Sequence, residues 1–150
     1  MFDFDFKFTD NTQKILEEFE RKERKFAEQA GSFLEAQAKK NIAEFTYDGK
    51  NRPGYVDTGL ARKTITHTYT VSENETVIYV GNNVKYMIWL EIGSGIYASD
   101  GKGRKSPWYY TDRKGNTYQT RGIRPSHSLQ RAITDNISTL QIMWIDIMKE

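Results

Sequence analysis

The stretch Thr64–Gly81, "TITHTYTVSENETVIYVG", decides the fold. Its two halves, "TITHTYTV" and "TVIYVG", are patterned like two strands, rich in β-branched and aromatic residues, and the polar turn "SENE" joins them. That pattern reads as a pair of antiparallel strands. Upstream the period changes. Ile15, Phe19, Phe26, Ala30, Phe33 or Leu34, Ala38, Ile42 and Phe45 recur at intervals of three, four or seven, which predicts one long helix over about residues 12–45. Asp10 to Gln13 reads as a capping box, with Asp10 as N-cap and Gln13 reaching back. The run Glu17–Lys25 mixes both signs of charge, as a solvated helix face with i,i+4 pairs does. Such a helix is about 50 Å long, more than a domain of this size is wide. Either it breaks near Gly31 or its first half projects.

Downstream, "PWYYTDRKGNTYQTRG" (Pro107–Gly122) reads as a second hairpin that turns at Lys114–Gly115–Asn116. A closing helix follows from about Ser126, an N-cap candidate just after Pro125. Its apolar stripe is Leu129, Ile133, Ile137, Leu140, Trp144 and Ile147 or Met148. The order predicts an α+β fold: a long N-terminal helix, a small antiparallel β-sheet and a C-terminal helix packed on the sheet. The 150 residues suit one domain, divided into an extended arm (1–9), the long helix (10–45) and the sheet with its helix (56–150). The segment Tyr47–Gly59 between them is turn-rich. In the arm, Phe2, Phe4, Phe6 and Phe8 share one face of a strand, and Asp3, Asp5 and Lys7 share the other. A strand of this kind docks either on its own sheet or on a neighbouring subunit.

Composition narrows the function classes. Hydrophobic residues at 37% and charged residues at 28% describe an ordinary soluble domain. A formal net charge of +2 argues against a dedicated nucleic-acid binder. With no Cys there is no disulfide, thiolate metal site or Cys nucleophile. No signal-peptide pattern and no apolar run long enough to span a bilayer is present, so synthesis and folding in the cytoplasm are expected, with no membrane partner. Aromatic residues reach 13%, enough to serve partner surfaces as well as a core.

The glycine-rich, basic stretch "GIYASDGKGRKS" (Gly95–Ser106) invites a test as a phosphate loop. A Walker-type loop needs Gly, four residues, then Gly-Lys-Ser/Thr. Here five residues separate Gly95 from Gly101, and Gly103 follows Lys102. "GSGIYA" (Gly93–Ala98) matches a relaxed dinucleotide pattern, but it lies mid-chain and leads into a loop instead of a helix. No cofactor is expected, and the glycines read as giving a flexible loop. His67 and His127 are isolated in sequence and show neither metal spacing nor a Ser/His/Asp order. Glu91 in "WLEIG" reads as a carboxylate that caps or pairs locally, or else as a buried acid.

From Val56 onward the chain resembles the tail-completion, or head–tail joining (neck), proteins of long-tailed bacteriophages. The resemblance rests on an ordered series of pieces. "DTGLARKTI" (Asp57–Ile65) carries the Thr58–Gly59 turn, a short helix and the entry to the first strand, and a strand then ends at Val80–Gly81. "YMIWLEIGSG" (Tyr86–Gly95) supplies Tyr86, Trp89, Glu91 and Gly93. "GKGRKSPWYY" is the basic loop, and "DRKG" carries Asp-x-x-Gly. "GIRPSHSLQRAI" closes the series with Pro125, Leu129 and Ala132. Two places depart from the family: His127–Ser128 stand where Pro-Phe is common, and Leu60 follows Gly59 directly.

The resemblance implies a virion protein without enzymatic activity at the head–tail junction. It implies self-association into a ring, usually of six, between head-closure or connector proteins and the tail terminator or tube, with DNA passing through. Ring closure needs head-to-tail contacts, which favour aromatic anchors. The candidates are Phe2, Phe4, Phe6 and Phe8 on the arm and Trp108, Tyr109 and Tyr110 on the second hairpin. Lys102, Arg104 and Lys105 form a loop facing a partner or the DNA channel. Three rival readings stand beside this one. A tail-terminator ring protein has a similar size and class. A small DNA-binding or nuclease-like protein would use Lys102, Arg104, Lys105, Arg113 and Arg121, although it lacks a carboxylate cluster for Mg²⁺. An enzyme would rest on Glu91 and His127 alone.

Overall fold

In a computed structural model, the residues described are 9–44, 59–72, 74–112 and 114–150. The arm phenylalanines Phe2, Phe4, Phe6 and Phe8, together with Thr58 and Arg113, lie outside them. Helix α1 (Thr12–Glu44) runs for 33 residues without a break at Gly31. Its start is capped from one side only. The Asp10 carboxylate accepts the Thr12 N–H at 2.9 Å, while the Gln13 amide turns to Glu17 at 3.2 Å and does not reach back. The reciprocal box fails because the helix begins one residue late: the Asn11 carbonyl takes the first helical bond, from the Ile15 N–H at 3.1 Å.

The buried face of α1 is Ala27, Ala30, Gly31, Leu34, Ala38 and Ile42. Four of these six are Ala or Gly, so another backbone can lie close. The close neighbour is the first hairpin, β1 (Thr66–Val71) paired with β2 (Thr76–Gly81) in antiparallel register from Thr66↔Gly81 to Val71↔Thr76. His67, Tyr69 and Val71 turn inward, and the threonines between them stay exposed. A β-carbon at Gly31 would lie 2.4 Å from the His67 ring, so Gly31 serves packing, not bending. His67 is held there by Glu35, 2.7 Å from Nδ1, and by Glu28, 3.5 Å from Nε2.

Lys39 also pairs with Glu35, and these bonds, Lys39 first and His67 second, hold the Glu35 carboxyl below the ordinary glutamate range. A depressed folded-state pKa stabilises the fold above the unfolded-state pKa and is lost as pH falls through the folded one. In acid titrations followed by circular dichroism, Glu35→Gln should therefore lose less stability than the wild type below the glutamate range. An identical acid limb in both proteins would refute this assignment.

The first half of α1 projects. Ile15 and Leu16 are 65% and 58% exposed, and the solvated face carries the expected pairs Lys22–Glu18 at 3.2 Å and Arg24–Glu20 at 2.6 Å. The closing helix is two helices, α4 (Ser128–Thr134) and α5 (Ile137–Lys149), separated at Asp135–Asn136. Asn136 ends the first by donating its side-chain amide to the Ala132 carbonyl at 3.0 Å. Both pack chiefly along α1, where Trp144 meets Phe26 and Phe19 edge-on at 5.1 and 6.2 Å between centroids. The break alters the stripe: Ala132 enters the core, while Ile133 and Ile137 are 49% and 51% exposed.

The core proper joins Ala38 and Ile42 of α1 to Ala61, Ile65, Met87, Leu90 and Ala132. Val80, Val84, Ile123 and Leu129 pack around it. Ala61 belongs to α2 (Leu60–Lys63), which starts at Gly59 (φ 68°) and delivers Ile65 to β1. The α+β class holds, with the long N-terminal helix and C-terminal helical region in place. The strands, however, form two separate two-stranded sheets. The second, β3 (Trp108–Thr111) with β4 (Thr117–Thr120), leaves most residues on both faces exposed.

Candidate functional site

Helix α3 (Met87–Ile92) follows the first hairpin and begins after Tyr86, whose carbonyl accepts the Trp89 and Leu90 amides. It buries Met87 and Leu90 and turns outward Ile88 and Trp89, 54% and 52% exposed, next to Tyr86 at 39%. The other side of α3 presents Glu91 to the start of α4. One carboxylate oxygen accepts the Ser128 hydroxyl at 2.9 Å and the Leu129 N–H at 3.0 Å; the other accepts the Gln130 N–H at 2.9 Å. The backbone completes the joint, since Ser126 N–H donates to the Leu90 carbonyl at 2.7 Å and His127 N–H to the Glu91 carbonyl at 3.1 Å.

The main cap of α4 is therefore Glu91; Ser126 adds only a long bond, its hydroxyl accepting the Ser128 N–H at 3.4 Å. His127 occupies the N-cap position at φ 48°, makes no side-chain cap, and meets Glu91 only through the backbone. Glu91 does cap, but across 37–39 residues of sequence instead of locally. Its two oxygens are occupied by three donors, which supports a scaffold role and leaves the acid–base reading of Glu91 and His127 without geometry.

Beyond Gly93, three glycines bring three backbone segments into contact. A β-carbon on Gly95 would fall 1.9 Å from the Arg121 carbonyl oxygen, one on Gly122 2.0 Å from the Ser94 oxygen, and one on Gly103 2.0 Å from the Gly95 oxygen. Hydrogen bonds fasten the same place: Ser94 N–H to the Ile123 carbonyl at 2.9 Å and Ile96 N–H to the Arg121 carbonyl at 3.0 Å. The basic loop is thus braced, contrary to its reading as a flexible one. Further bonds run from Ser99 N–H to the Ile92 carbonyl at 2.9 Å and from the Lys105 ammonium to the Gly101 carbonyl at 2.7 Å. Signature residues Gly93 and Pro125 touch here as well, because a Gly93 β-carbon would sit 2.9 Å from Pro125 Cδ.

From this knot rises the β3–β4 hairpin. Its turn organises itself: the Asp112 carboxylate accepts the Lys114 and Asn116 amides at 2.8 and 2.9 Å, and Gly115 adopts φ 87°. Those bonds to Asn116 and Lys114 hold the Asp112 carboxyl below its ordinary range. The strands carry Tyr109, 70% exposed, and Tyr110, 42% exposed, with Tyr118 facing Tyr110 at 5.6 Å between ring centroids. Trp108 is half-buried, and the Arg104 guanidinium lies 5.7 Å from its ring. Lys102, Arg104 and Lys105 are exposed.

The sequence reading named Trp108, Tyr109 and Tyr110 but not Tyr118, although its alternation with Thr117 and Gln119 carries the signal. It also passed over Gly103 and Gly122, whose role needs the facing backbones to be known. An apolar groove lined by Phe26, Ile137, Leu140, Gln141 and Trp144 lies between α1 and α5 and offers no titratable side chain.

These features define a small α+β scaffold that holds an aromatic hairpin and a basic loop out from its core. The chain belongs to the HK97-gp10-like family: the family model described as "Bacteriophage HK97-gp10, putative tail-component" matches residues 6–93. The protein is thus a phage tail-related structural component, as the resemblance implies. The match takes in α1, which the motif series left out, and ends at Gly93, within the stretch where that series continues to Ile133. No curated protein and no solved structure matches the chain.

Proposed function

We propose that the protein is a non-enzymatic subunit of the phage neck, a tail-completion or head–tail joining protein whose copies close into a ring, six by the resemblance. In this reading the ring lies at the head–tail junction of the virion, between head-closure or connector proteins and the tail terminator or tube. The observation that carries the reading is the β3–β4 hairpin. A two-stranded sheet with both faces open is marginal by itself in water. This one is rooted in braced backbone and set by its own turn, yet its tyrosines point into solvent. Tyr109, Tyr110 and Tyr118 are rigid amphipathic anchors of the kind that dominate interfaces. The outward Trp89 and Ile88 of α3 add a second apolar area.

Light scattering on the full chain, alone and with neck partners, tests the reading. The triple variant Tyr109→Ser, Tyr110→Ser and Tyr118→Ser should keep the wild-type melting curve and lose assembly. Unaltered assembly would remove the hairpin from the interface. Imaging of particles then separates a joining ring, at the head side, from a terminator ring at the tail end.

A further inference from the structure

Charge is unevenly divided along this chain. Gly95–Arg124 contains seven basic residues and only two acidic ones, although the whole chain has 22 and 20. On α1, by contrast, cations sit beside acids: Arg21 and Lys22 on Glu18, Arg24 on Glu20, Lys39 on Glu35, Lys40 on Glu44. Among the described residues, Lys102, Arg104, Lys105, Arg121 and Arg124 join no ion pair. The two acids of the segment, Asp100 and Asp112, accept backbone amides of their own turns.

The glycine knot turns this bias into a patch. Gly103 lies between Lys102 and Arg104 and presses on Gly95; Gly95 presses on Arg121 and Gly122. Arg124 joins the same knot, with its guanidinium 4.8 Å from the ring centroid of Tyr97, two residues beyond Gly95. All five cations thus sit on two segments, 102–105 and 121–124, that are locked together through Gly95, and two of the guanidinium planes rest on aromatic rings, Arg104 on Trp108 and Arg124 on Tyr97. A stacked guanidinium is held in place, Arg104 also by its Nε–H donating to Ser106 Oγ at 3.0 Å, while its terminal N–H groups can donate to anionic oxygen.

We infer that this patch binds the phosphate backbone of duplex DNA, without reading sequence. Several unpaired cations on a rigid surface suit a polyanion with closely spaced charges. Arginines whose faces rest on their own rings favour phosphate contact over base stacking. The inference rests on the neck reading for the presence of DNA at the site, but the contact is measurable on the isolated full chain.

The experiment is fluorescence anisotropy with a short duplex of mixed sequence over a range of salt. About five phosphate contacts give a log–log slope of about −4.5, a loss of about 500-fold in affinity from about 50 to about 200 mM salt. The double variant Arg104→Gln and Arg124→Gln should reduce that slope by about 2, whereas Arg24→Gln on α1 should leave it unchanged. Absence of binding at low salt, or an unaltered slope in the double variant, would overturn the inference. Tighter binding to polyglutamate than to duplex would also overturn it, by making the patch a docking site for acidic protein. Light scattering on the same variants separates the two proposals: lost DNA binding with intact self-association leaves the ring standing, and the converse leaves the patch.

Discussion

Gly122→Ala should lower stability by about 3–5 kcal/mol and detach the root of the second hairpin. Gly122 has φ 127°, a region that only glycine occupies readily, and strain there costs about 1–3 kcal/mol. The added β-carbon would also meet Ser94 oxygen at 2.0 Å, Ser94 carbonyl carbon at 2.6 Å and Gly95 Cα at 2.9 Å, all of them backbone. Backbone cannot rotate away. Relief requires parting the two segments, which breaks the bonds from Ser94 N–H to Ile123 and from Ile96 N–H to Arg121, at about 1 kcal/mol each. Gly101→Ala is the control: its φ is 70°, but nothing lies within 4 Å of the added carbon, so only about 1–2 kcal/mol of left-handed strain remains. Urea unfolding of both variants decides the matter. Equal losses would mean that the close approach at Gly122 contributes nothing.

Glu91→Ala should cost about 3 kcal/mol, a fall in Tm of about 6–12 °C for a chain of this size. Three donors lose their acceptor together, and one of them, the Ser128 hydroxyl, belongs to a residue that is 0% exposed. The Ser128 hydroxyl keeps only the Ser126 Oγ, 3.2 Å away, while the Leu129 N–H loses its side-chain acceptor at the partly buried head of the helix. Loss of the negative charge at the head of α4 adds a smaller dipole term. Glu91→Gln keeps the size and one carbonyl acceptor, so it should fall between wild type and Glu91→Ala. If all three proteins melted together, the joint between α3 and α4 would not be what holds the C-terminal helices.

Of these two residues the sequence marked only Glu91, and without revealing its work; nothing local set Gly122 apart. Glu91 stood out in "WLEIG", and capping was among its readings, yet the helix it caps starts 37 residues later. Local pattern suggested Ser126 instead, since a serine after proline is a sound start signal. The glycines of Gly93–Gly103 were visible too, but composition alone cannot separate a glycine that bends freely from one pressed against another backbone. Gly31 poses the same ambiguity: mid-helix glycine reads as a breaking point, and here the His67 ring sits against it. The aromatic hairpin was legible because strand alternation and the Asp112–Asn116 turn are short-range effects.

Taken by itself, the amino-acid order determined the α+β class, the long amphipathic helix and both hairpins. Each follows from residues that are close in the chain, where period and turn chemistry act directly. Only the tertiary structure decided that the hairpins form separate sheets, that Glu91 holds α4, and that five unpaired cations gather around one glycine knot. Those outcomes depend on contacts between segments far apart in the chain, whose geometry no local period encodes.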